Sequence, residues 1–116
     1  MSTWSGTFTV INNTGQTIYN GQVAHTAANC PSTPITIPST GLSSGAQLGG
    51  GTWQTETTSR DFWSWNYQFN SSSPSVTVSE KQCSLYHADS SVIITLTASG
   101  GTITPNNSGA CTVSND

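Results

Sequence analysis

Apolar and polar residues alternate one by one along much of this chain, the two-residue period of a strand with one face buried. In residues 5–12, S-G-T-F-T-V-I-N, Phe8 and Val10 fall on one face and Thr7 and Thr9 on the other. Asn13-Thr14-Gly15 is a turn signal, and residues 16–25 resume as a strand, so the pair predicts an N-terminal hairpin. Residues 27–51 read as loop, broken by Pro31, Pro34, Pro38 and by glycines at 41, 45, 49, 50 and 51. Flanking prolines restrict Ile35-Thr36-Ile37 to a short or edge strand. Strands are predicted over residues 52–58 and 61–70, with Trp63, Trp65, Tyr67 and Phe69 at every second position of the latter. Further strands follow at 75–80, 83–86, 91–99, 102–104 and 110–113. No stretch has helical periodicity with a cap. Eight to ten short strands separated by turn chemistry predict one all-β domain over residues 1–116, an antiparallel sandwich or barrel.

Composition then restricts the partners. Of the 116 residues only 6% are charged, against about 25% in ordinary soluble domains. Serine and threonine fill about a third of the positions. Four Trp, three Tyr and three Phe set the chain apart from disordered sequences. The net charge is −3, with Arg60 and Lys81 the only Lys or Arg. Neutralising phosphates takes several such cations, so no nucleic-acid partner is expected. A surface of hydroxyls and amides suits sugars, lipid headgroups, ice or copies of itself. Residues 1–4 show no basic region leading into an apolar run. That reads as a cytoplasmic chain, or as a secreted one whose signal has been removed.

No motif for a phosphate loop, a zinc site, a serine elbow or a cofactor occurs, so the expectation is a non-enzymatic protein without a cofactor or metal. Cys83, His87 and Asp89 form the nearest thing to a nucleophile set, and packing or turn roles account for them more simply. The aromatic stripe reads as the core face of a central strand. Trp4 and Trp53 lie on more polar segments and are candidates for exposed roles. Arg60-Asp61, a charged pair at a strand entrance, reads either as a structural ion pair or as hydrogen-bonding ligands. The odd cysteine count leaves two arrangements open, a Cys83–Cys111 disulfide with Cys30 free, or three thiols. Asn12, Asn70 and Asn106 each begin an N-x-[ST] triplet, expected by chance in so Ser/Thr-rich a chain.

Four segments carry a resemblance: V-I-N-N-T-G-Q-T-I-Y-N, S-R-D-F-W-S-W at 59–65, K-Q-C-S-L with Asp89 at 81–89, and S-G-A-C at 108–111. Together they resemble the small β-sandwich family named for its up-regulation in long-lived nematode insulin-signalling mutants. More distantly they resemble the aegerolysins, although the tryptophan-cysteine-proline-tryptophan segment of that group has no counterpart here. The resemblance implies a β-sandwich without enzymatic activity, and the aegerolysin likeness implies a membrane-lipid partner. Taken together, the first expectation is a small glycan-binding lectin of stress or defence type. Its candidate ligand residues are Trp53, Arg60, Asp61, Asn66, His87 and Asp89. A lipid-binding protein is the second expectation. A structural or self-assembling protein, a homo-oligomer whose low charge removes repulsion between copies, is the third.

Overall fold

The alternation resolves into strands wherever one face can be buried. The computed structural model describes residues 2–57 and 59–116. Its strands are β1 (Thr3–Asn13), β2 (Tyr19–Thr26), β3 (Ile35–Ile37), β4 (Gln47–Glu56), β5 (Phe62–Gln68), β6 (Val76–Gln82), β7 (Ser91–Thr97), β8 (Gly100–Pro105) and β9 (Cys111–Ser114). They form a five-stranded sheet in the order β4-β1-β7-β8-β9 and a four-stranded sheet in the order β3-β2-β5-β6. The inward residues of both sheets make one core. Phe8, Val10, Trp53, Val92, Ile94, Leu96 and Ile103 come from the larger sheet, and Val23, Ile37, Trp63, Trp65, Tyr67 and Val78 from the smaller. The all-β sandwich is as expected, and so is the edge position of β3.

Besides the strand expected at 83–86, which does not form, three details depart from the sequence reading. The expected N-terminal hairpin does not form, because β1 pairs with β4 and β7 while β2 pairs with β3 and β5. The turn between them instead carries the chain from one sheet to the other, and buried Asn12 organises it. Its side-chain N–H groups donate to the carbonyls of Gln16 (2.7 Å) and Leu42 (2.8 Å), and its Oδ1 accepts from Thr14 N–H at 3.0 Å. The second departure is that β1 and β7 run parallel, Phe8 opposite Val92 and Val10 opposite Ile94, in an otherwise antiparallel fold.

The third concerns the glycines at 49–51, expected in a loop but lying inside β4. Gly51 faces Phe8 across the β1–β4 ladder, and a Cβ there would come within 2.4 Å of the Phe8 ring. Gly6 faces Trp53 two pairs further on, with a Cβ 2.6 Å from Cζ2 of the indole. Each ring lies over a bare stretch of the neighbouring strand, so the glycine makes room for the aromatic and the aromatic covers the glycine. Of the strand predicted at 52–58, β4 accounts for the part up to Glu56, and Thr58 lies outside the described residues.

Both long margins of the sandwich are closed. On one, Thr33 and Thr52 exchange backbone hydrogen bonds of 3.1 and 3.0 Å between the strands bordering the two sheets. On the other, a disulfide joins Cys83, just after β6, to Cys111 in β9, with the Cα atoms 6.0 Å apart. Cys30 is free. A cross-link spanning 28 residues contributes about 3–4 kcal/mol by restricting the unfolded chain.

The stripe on β5 is the core, with Trp63, Trp65 and Tyr67 at most 1% exposed. Trp65 rests on the facing sheet at Gly101, where a Cβ would lie 2.7 Å from the indole and 2.7 Å from the Thr95 carbonyl oxygen. Trp65→Ala is expected to cost about 3–5 kcal/mol, the range for losing a large buried aromatic. Gly101→Ala is expected to cost about 1–3 kcal/mol by overpacking the same contact. Urea titration monitored by tryptophan fluorescence measures both.

Candidate functional site

Strand direction divides the loops between two ends of the sandwich. One end gathers the start of β1, the segments around Arg60 and residues 83–90, and the turn after β8. The other gathers the start of β2, the β5–β6 turn and the loop between β3 and β4. Four of the six residues expected to bind a ligand, Arg60, Asp61, His87 and Asp89, do meet at the first end. Two of the four are already committed to the fold.

Asp61 is 1% exposed, and its carboxylate accepts from His25 Nε2 at 2.7 Å and from the Leu85 backbone N–H at 2.9 Å. The Arg60–Asp61 ion pair considered from the sequence is therefore replaced by a His25–Asp61 pair, with Arg60 left in solvent. Asp89 is 3% exposed. It accepts from the backbone N–H groups of Tyr86, Asn107 and Ser108 and, at 2.5 Å, from the Ser108 hydroxyl. It fastens the 83–90 segment to the turn after β8 and has no oxygen to spare for a ligand. Trp53, expected to be exposed, is 1% exposed and donates its indole N–H to the Thr7 carbonyl at 3.1 Å. Trp4 packs against the core, its ring 6.3 Å from that of His87 in an edge-on contact. His87 is exposed, and Asn66 is exposed on the outer face of the smaller sheet, away from this end. The Cys83, His87, Asp89 set is dissolved by the disulfide at Cys83.

Burial opposes ionisation of Asp89, but its four hydrogen bonds outweigh that and hold the carboxyl below its ordinary value. A depressed carboxyl stabilises the fold above the unfolded-state value of about 3.9 and loses that contribution as pH falls through the folded-state value. The transition temperature should accordingly drop between about pH 5 and pH 2. Asp89→Asn should be less stable than the parent near neutrality and show a shallower acid dependence, read by thermal scans across that range.

The opposite end holds a half-open cleft of about 320 Å³ lined by Tyr19, Asn20, Ser39, Phe69, Asn70 and Ser71. Phe69 is the fourth ring of the stripe. It lies just beyond β5, half-buried, in edge-to-face contact with Tyr67 at 5.4 Å. Tyr19 begins β2, and its ring lies over Gly41, whose φ of +98° and close approach to Cε1 leave no room for a side chain. Asn20 adopts φ +55° at an irregularity in the β2–β5 ladder, and its amide donates to Gln68 Oε1 at 3.1 Å. Asn70 caps the turn after β5, its Oδ1 accepting from the Ser72 N–H at 3.0 Å and hydroxyl at 2.8 Å. The Asn20 and Asn70 side chains are thus tied to the surrounding turns. Asn20 Oδ1, Asn70 Nδ2 and the hydroxyls of Tyr19, Ser39 and Ser71 make no hydrogen bond to other described residues.

The sequence reading missed this cleft. The signal was an aromatic followed by asparagine, Tyr19-Asn20 and Phe69-Asn70, at strand ends brought together by β2–β5 pairing. No protein-family model matches the chain, and no curated protein matches it. The described residues include no group of three or more His, Cys, Asp or Glu placed to hold a metal ion.

Proposed function

We infer that this protein is a recognition module for neutral glycans and that the Tyr19–Phe69 cleft is its binding site. The observation that carries this reading is the lining itself: two half-buried rings beside uncommitted amide and hydroxyl groups, with no charged side chain among them. A sugar ring presents an apolar C–H face for stacking and hydroxyls that both donate and accept. Asn20 Oδ1 supplies an acceptor, Asn70 Nδ2 a donor, and the hydroxyls serve as either. The volume lies at the small end of the roughly 300–1,000 Å³ typical of ligand sites, which suits one or two sugar rings. Asn20 and Asn70, already held by hydrogen bonds, lower the ordering cost of binding.

The site differs from the one expected from the sequence, and the ligand class is the same. A panel of immobilised neutral glycans tests it, with phospholipid and sphingolipid vesicles as a second arm. The parent should bind at least one neutral glycan. Tyr19→Ala and Phe69→Ala should each weaken binding about tenfold or more, a loss of about 1.4 kcal/mol, while Asn66→Ala on the outer sheet face should bind as the parent does. Binding to vesicles alone would favour the lipid reading. Binding to neither, with concentration-dependent association in solution, would favour self-assembly.

A further inference from the structure

Three side chains far apart in the sequence meet at the end opposite the cleft. His25 Nδ1 lies 2.8 Å from Ser32 Oγ, and His25 Nε2 lies 2.7 Å from Asp61 Oδ1. His25 is 4% exposed and Asp61 1%, whereas Ser32 is half-buried. With Asp61 ionised and His25 neutral, one arrangement of protons satisfies all three groups. An ionised carboxylate only accepts, so Nε2 carries the imidazole proton. In the neutral ring Nδ1 is then a bare acceptor, and the Ser32 hydroxyl donates to it. This is the arrangement hydroxyl–imidazole–carboxylate, in which the acid fixes the tautomer and the base addresses the nucleophile. Such constellations are recognised by geometry and role, and here the two ring nitrogens have exchanged their usual places.

The surroundings keep this geometry fixed. The ring of His25 lies 4.8 Å from that of Trp63 and 6.4 Å from that of Trp53, so the relay runs through apolar surroundings that strengthen its hydrogen bonds. The Leu85 N–H holds the second oxygen of Asp61. Ser32 is held in place by the Ala27–Cys30 turn before it, with Asn29 at φ +61°, and by the Thr33–Thr52 bridge after it.

We propose that Ser32 is an activated nucleophile toward small acyl esters, with His25 as its general base and Asp61 as the positioning residue. Ser32 Oγ bonds to the ester carbonyl carbon as its proton passes to His25 Nδ1. The carbon–alkoxide bond then breaks, and the departing alcohol takes that proton. Water repeats the sequence on the acyl-serine, releasing the carboxylic acid and restoring Ser32. This proposal is independent of glycan binding, since it uses no residue of the cleft.

The test is covalent labelling of the folded full-length chain with a small fluorophosphonate, followed by peptide mass spectrometry. Ser32 should carry the adduct, formed at least about 100-fold faster than in urea-unfolded protein, the lower bound for a positioned general base. Ser32→Ala, which removes only a half-buried hydroxyl, should stay folded and take no label at this peptide. A folded His25→Gln variant should lose the enhancement. A purely structural role for the three residues would leave Ser32 unlabelled in the native protein, or labelled no faster than in urea. Either result overturns the proposal, and both are read on the parent chain whether or not His25→Gln folds.

Discussion

Trp63, Trp65 and Tyr67 fill the space between the two sheets, and the rest of the architecture follows from making room for them. Sheets in a sandwich stand about 10 Å apart, and three large rings in a row on one strand occupy most of that gap along its length. The facing surface therefore has to be bare where an indole lands, as Gly101 is beneath Trp65. The same requirement recurs within the larger sheet, where Phe8 and Trp53 each pair with a glycine across the ladder. An aromatic core of this kind tolerates neither loss of a ring nor gain of a methyl group, because interiors are packed to near-crystalline density.

Closing the sandwich at both margins gives its two ends different characters. The disulfide and the Thr33–Thr52 bridge hold the sheets in one relative placement. At one end the acidic side chains turn inward and spend their oxygens on the fold, Asp89 on three backbone N–H groups and a hydroxyl, Asp61 on His25 and Leu85. At the other end the aromatic stripe runs out of the core. Phe69 packs its edge on Tyr67 and lines the cleft, so the ring that ends the core also begins the proposed binding site. With so few charges in the chain, most of the acids went to structure, and hydroxyls and amides were left to face a ligand.

The strand alternation and the stripe were legible because each depends on local period, whereas the Cys83–Cys111 disulfide was one of two arrangements the cysteine count left open. The route from β1 to β2 was not. Asn13-Thr14-Gly15 looks the same whether the chain turns back within a sheet or crosses to the other, and the difference lies in Asn12 reaching Leu42, thirty residues away. The glycines at 49–51 read as loop for a related reason, since Phe8, the partner of Gly51, becomes visible only across the ladder. The candidate ligand set rested on the idea that polar groups able to hydrogen-bond a sugar are kept for one. Burial overrules it: a rare carboxylate is equally useful for tying loops together when several backbone donors need an acceptor. Ser32, His25 and Asp61 could not be joined from sequence, because seven and thirty-six residues separate His25 from its partners.

Native-state hydrogen exchange tests most directly whether the β5 stripe is the element on which the fold depends. If it is, the backbone amides of Trp63, Trp65 and Tyr67 exchange only when the whole domain unfolds. Their opening free energies then equal the global value and share its full urea dependence. Exchange of these amides through a local opening with little urea dependence, while those of β1 and β7 stay protected, would contradict the account and place the keystone in the larger sheet.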